Sequence, residues 1–143
     1  MVDLKGKVAL VVDDELAQIE YISAILDDNH MTAVTASNGI EAMNKLGEAK
    51  PDVIILDIMM PEESGMKFFH KLKKEEEYKD IPVIIVSGAS QVTGVDLKTI
   101  IYNKDFRERK EKVFGIDAAP DAFLEKPVEP DTLMTTIKEY LTS

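Results

Sequence analysis

Apolar positions along this chain follow two rhythms. Short unbroken runs, Val8-Ala9-Leu10-Val11-Val12, Val53-Ile54-Ile55-Leu56 and Val83-Ile84-Ile85-Val86, alternate with longer stretches in which apolar residues recur every three or four positions. The runs are too short for helices and rich in β-branched residues, so they read as strands buried on both faces, the kind found inside a parallel sheet. Met31 to Ser37 is mixed and β-branched and predicts an edge strand, and Ala122 to Pro127 predicts a short fifth strand. Of the helical stretches, Leu16, Ile19, Ile22 and Leu26 predict an amphipathic helix reaching about Asp28. Asn38 suits an N-cap, with Ile40, Met43 and Leu46 as the inward stripe of the helix it starts. Met66, Phe69 and Leu72 mark a third helix, whose continuation Lys73-Lys74-Glu75-Glu76-Glu77 reads as a solvated face. A last helix begins at Asp131 and turns Leu133, Ile137, Tyr140 and Leu141 inward.

Strands and helices alternating in this way predict a parallel sheet covered by helices on both faces. Right-handed crossovers leave few topologies, and the usual one at this size is a flavodoxin-like, doubly wound, five-stranded α/β sheet in the order 2-1-3-4-5. Parallel strands put all their carboxyl ends on one edge. Strand one delivers Asp13 and Asp14 there, strand three Asp57, strand four Ser87 and strand five Lys126. The order reverses between strands one and three, between the two acidic positions, and ligands of open α/β sheets bind at such a switch point.

Composition narrows the classes. A chain of 143 residues with 45% apolar content is long enough for one substantial core, and residues 1–143 read as a single domain. A net charge of -10 argues against binding nucleic acid directly or settling on an anionic membrane surface. There is no cysteine, which excludes disulfides and thiolate chemistry and suits the cytoplasm. No apolar run approaches the length of a membrane span or a signal sequence.

Three carboxylates in one crevice repel one another: two unit charges about 4 Å apart cost roughly 4 kcal/mol at an effective dielectric near 20. A hard divalent cation with oxygen ligands offsets this, and Mg²⁺ accepts a few carboxylates plus waters; the Lys126 ammonium offsets more. A carboxylate beside Mg²⁺, an amine and a hydroxyl, with no His or Cys, suits nucleophilic attack on phosphorus to form a mixed anhydride. Taken singly the same residues have plainer readings. Asp13 and Asp14 favour a helix N-terminus, Ser87 a turn, and Lys126 an exposed position before proline. His30 and His70 read as surface residues, and the seven methionines as packing.

Asp13-Asp14, Asp57 with Met60-Pro61 and Gly65, Ser87-Gly88-Ala89 and Lys126-Pro127 together resemble a response regulator receiver domain of two-component signalling, over nearly the whole chain. The resemblance implies phosphorylation of Asp57 by a histidine kinase or phosphotransfer protein. It also implies Mg²⁺ held by Asp14, Asp57 and the Met59 backbone carbonyl, with Asp13 acting through water. By the same likeness Ser87 and Lys126 contact the phosphoryl group, Lys126-Pro127 is a cis peptide, and Ser87 and Phe123 are switch positions. Downstream partners would read the surface of the fourth helix, fifth strand and last helix.

The chain departs from the family's pattern in places. Ser87 and Lys126 lie farther apart than the family's spacing, so residues 88–116 are expected to hold an inserted or lengthened helical segment, with a basic stripe between Lys98 and Lys112. Phe123 lacks the hydroxyl of the commoner tyrosine, Glu63 replaces an apolar loop residue, and Ala119-Pro120 replaces Gly-Ala. No output module fits after Lys126-Pro127, so the expectation is a non-enzymatic signalling domain that assists only its own phosphorylation and dephosphorylation. The alternatives are a pseudo-receiver scaffold that never takes phosphate, and a haloacid-dehalogenase-type phosphatase; the latter would want a second Asp where Met59 stands.

Overall fold

The computed structural model describes residues 4–58, 60, 64–87 and 120–141, with the side chains of Ser64 and Ser87 excepted. Five strands form one parallel sheet in the order β2-β1-β3-β4-β5: β1 Val8–Val12, β2 Thr32–Ala36, β3 Val53–Leu56, β4 Val83–Ser87 and β5 Ala122–Glu125. The described helices are α1 Leu16–Asp28, α2 Gly39–Glu48, α3 Ser64–Lys74 and α4 Pro130–Leu141. The expected order is the observed one, and β2 is an edge strand as its mixed pattern predicted.

The two faces of the central strands feed two cores, because successive side chains in a strand point opposite ways. Leu10, Val12, Ile54, Leu56, Val83 and Ile85 pack against Ala42 and Leu46 of α2 and Phe68, Phe69 and Leu72 of α3. Ala9, Val11, Val53, Ile55, Ile84 and Val86 pack against Ile22, Ile25 and Leu26 of α1 and Leu133, Met134 and Ile137 of α4. The unbroken apolar runs are thus explained by helices on both sides. Phe123 is 1% exposed in the first of these cores.

Two helices bury only part of the stripe expected of them. Ile40 is 79% exposed, and the buried residues of α2 are Gly39, Ala42 and Leu46, with Met43 only half-buried. Leu46 is inward as expected, but Gly39 and Ala42 are buried one position before Ile40 and Met43. Leu16 is 68% exposed, at the first turn of α1 beyond the strand ends, and Ile25 joins Ile22 and Leu26 in the core instead. Asn38 caps α2 as expected: its side chain accepts a 2.8 Å hydrogen bond from the Glu41 N–H, and the Glu41 carboxylate accepts from the Ser37 N–H and hydroxyl, both at 3.3 Å.

Loop carboxylates and tyrosines tie the layers. Asp52 accepts a hydrogen bond from the first N–H of β1 and Asp121 from the first N–H of β4, each at 2.8 Å. The Tyr140 hydroxyl of α4 donates to the Asp121 carbonyl (2.6 Å), and the Tyr21 hydroxyl of α1 donates to the Val128 carbonyl (2.8 Å), just past the cis Lys126-Pro127 peptide.

Candidate functional site

Strand register builds the site. Val12 of β1 stands opposite both Ala36 and Leu56, so Asp13 and Asp57, the residues that follow, leave the sheet side by side. The Asp57 N–H donates to the Val12 carbonyl and the Asp13 N–H to the Ala36 carbonyl, which fixes both backbones at the strand ends. Ser87 pairs with Glu125 across β4 and β5, so Lys126 emerges next to the end of β4.

The side chains meet as the edge argument requires. The Lys126 ammonium lies 2.9 Å from Asp13 Oδ2, 3.0 Å from Asp57 Oδ2 and 3.2 Å from Glu15 Oε1. Asp13 and Asp57 are buried, at 2% and 4% exposure, while Asp14 and Glu15 are exposed. Ligand atoms from Asp13, Asp14, Glu15 and Asp57 all lie within 4.8 Å of one another.

Electrostatics follows from this packing. Burial raises the Asp13 pKa, and the neighbouring Asp57 charge adds to that rise; the Glu15 N–H, donating to Asp13 Oδ1 at 2.9 Å, and the Lys126 ammonium act against it. For Lys126, burial alone would lower the pKa, but the hydrogen bonds to Asp13 and Asp57 and their charges reverse this, so the pKa is raised and the amine stays protonated. One ammonium against two buried carboxylates and two exposed ones leaves the pocket net negative. Its donors are all oxygen, closely spaced and open to solvent on the Asp14 and Glu15 side, which fits a hard divalent cation.

Gly65 is the steric counterpart. A Cβ there would overlap the Asp57 carbonyl oxygen and come within 2.6 Å of Ile58 Cα. Only glycine lets the first turn of α3 approach the backbone that carries Asp57 so closely.

The structure therefore gathers Asp13, Asp14, Asp57 and Lys126. It puts Ser87 on the neighbouring strand end, though its side chain, like Met59, residues 88–116, Glu63 and Ala119, lies outside the described residues. Glu15 was missed by the sequence reading. It occupies the N-cap position of α1 without making a side-chain capping bond, and reaches Lys126 instead. The available signal was its place directly after Asp13-Asp14 on a strand end.

Residues 9–103 match the family model of the response regulator receiver domain. The chain belongs to that family. Among curated relatives, the phosphate regulon transcriptional regulatory protein PhoB of Escherichia coli is 32% identical over 132 residues, covering 92% of this chain and 50% of PhoB. The chain thus spans about half the length of that relative. The protein PilH of Pseudomonas aeruginosa is 31% identical over 132 residues, covering 92% of this chain and 95% of PilH. Among solved structures, the Vibrio cholerae chemotaxis protein CheY4 superposes with a TM-score of 0.72 at 26% identity, covering 95% of this chain and 99% of CheY4. As a receiver domain the chain has a phosphoacceptor role in two-component signalling. Receiver domains bind Mg²⁺ at an acidic pocket, and this one carries such a cluster. No helix among the described residues is long and apolar enough to cross a membrane.

Proposed function

We propose that Asp57 is the phosphoacceptor of this receiver domain and that a histidine kinase or phosphotransfer protein is the donor. The reading is carried by one observation, the Lys126 ammonium bridging the buried carboxylates of Asp13 and Asp57 at 2.9 and 3.0 Å. In the reaction a carboxylate oxygen of Asp57 bonds to phosphorus as the phosphorus–nitrogen bond of a phosphohistidine breaks. The electron pair leaves with the imidazole nitrogen, and Asp57 becomes an acyl phosphate. Lys126 turns from the Asp57 carboxylate to the incoming phosphoryl oxygens, a shift the side chain makes without losing Asp13. Ser87, ending β4, donates a hydrogen bond to another of those oxygens. Asp13, Asp14, Asp57 and the Met59 carbonyl hold Mg²⁺, which when bound neutralises charge developing on the phosphoryl group. Gly65 keeps the Asp57 backbone fixed during the exchange.

The domain assists its own phosphorylation and dephosphorylation and turns over no other substrate. Phosphorylation shifts the balance between two states, with Ser87 and Phe123 as switch positions, and residues 1–143 act as one unit. The readout is by a protein partner at the surface of β5, α4 and the 88–116 segment, in the cytoplasm. Incubating the chain with Mg²⁺ and acetyl phosphate tests the reading: intact mass should show one phosphoryl adduct per chain, absent from Asp57→Asn and without Mg²⁺. An adduct that survives Asp57→Asn, or none in the unaltered chain, would refute it.

A further inference from the structure

Away from the strand-end site, α2 and α3 enclose a groove of about 590 Å³. Its apolar lining is Phe68, buried, Met43, half-buried, and Ile40, 79% exposed, with the exposed Asn44 beside them on α2. Another part of the lining is basic. Lys67, Lys71 and Lys74 line it from α3, all exposed. Spacings of three and four residues put them on one face, in a row of about 10 Å at 1.5 Å per residue. Among the described residues none of the three makes an ion pair with a carboxylate. On a chain of net charge -10 such a row is a local reversal of sign.

His70 lies between these lysines on the same face, also lining the groove, and its Nε2 is buried with no hydrogen-bond partner among the described residues. Burial and the nearby Lys74 charge lower its pKa, so near pH 7 the ring is neutral and Nε2 can take either hydrogen-bonding role. An exposed isoleucine and a basic row are each tolerable alone. In one groove they share a complement: apolar side chains flanked by carboxylates.

We propose that the α2–α3 groove docks an acidic amphipathic helix of a partner protein. The length of the lysine row favours an extended occupant over a compact anion. Charge complementarity favours an acidic one, since the rest of the acidic surface repels it and steers it to this groove. A second copy of this chain docking through the same face would set lysine row against lysine row. The inference is independent of the reading of Asp57.

The probe is a labelled helical peptide of roughly 15 residues, long enough to hold a helix when docked, with leucines on one face and glutamates on its flanks. Binding is followed by fluorescence anisotropy and by amide chemical shifts. The expected result is shifts confined to residues 39–44 and 67–74 and weakening with added salt. The double charge reversal K67E/K71E should weaken binding by about tenfold or more, and Ile40→Ser by severalfold, with unchanged circular dichroism and melting. The Asp57→Asn chain should bind as the unaltered one does. Equal binding to K67E/K71E, shifts centred on the strand-end site or α4, or no binding at millimolar peptide would each overturn the proposal. So would sedimentation showing the groove occupied by a second copy of the chain.

Discussion

Replacing Lys126 by methionine keeps most of the stem's packing and removes the cation that, among the described residues, pairs with both Asp13 and Asp57. The exposed Glu15 contact, like surface pairs in general, contributes at most about 1 kcal/mol. The other two are different, because both carboxylates are almost wholly buried. Removing one partner of a buried pair costs about 3–5 kcal/mol. Lys126 keeps 17% side-chain exposure, and water entering the gap relieves part of the loss, so the lower end applies: about 3 kcal/mol at pH 7 without divalent ions. For a chain of this size that lowers the melting temperature by roughly 10 °C. The loss depends on pH with a definite sign. Asp13 already has a raised pKa, so its favourable contribution is present below its unfolded value of 3.8 and is lost as pH rises through the folded pKa. Without Lys126 that folded pKa rises further, so Lys126→Met should cost little near pH 4 and its full amount near pH 7. Millimolar Mg²⁺ should restore more stability to the variant than to the unaltered chain, because the ion supplies the missing positive charge. Urea denaturation at both pH values, with and without Mg²⁺, measures all three effects. An equal loss at pH 4 and pH 7, or a loss below about 1 kcal/mol at pH 7, would refute the reasoning.

Other substitutions probe separate parts of the structure. Asp13→Asn removes a buried charge whose ionised form is disfavoured, while Lys126 keeps Asp57 and Glu15; the variant should be more stable than the unaltered chain at pH 7 and lose that advantage toward pH 4, as thermal melts across that range will show. Gly65→Ala gains about 1 kcal/mol of helix propensity, but its Cβ meets fixed backbone, and overpacking costs about 1–3 kcal/mol; urea denaturation should show a net loss. Asn38→Ala forfeits the cap on Glu41 and should cost about 1 kcal/mol by the same assay. Ile40→Ser should change stability by less than about 0.5 kcal/mol, since that side chain lies outside the core.

Much of this was legible in the chain because strands buried on both faces leave an unmistakable apolar run. Val53 to Leu56 cannot be solvated on either side, so the helices above and below it follow. Once strands are parallel, the residue after each run must appear on one edge, which is why Asp13, Asp57 and Lys126 were found together. Helix facing was less legible. In α2 the strongest hydrophobes suggested Ile40, yet the small residues at 39 and 42 are the buried ones with Leu46, and periodicity weights size over fit. Glu15 escaped because a third acid after two others reads as a helix start, and only geometry shows it crossing to Lys126. The neighbour Phe68 was passed over for Phe69, although both are buried: the third helix is flanked closely enough to cover two adjacent positions.

The Tyr21–Val128 hydrogen bond joins residues 107 positions apart. It fastens the middle of the first helix to the chain two residues beyond the amine at position 126. The position of that helix and the course of the backbone just past the pocket are therefore one constraint, not two.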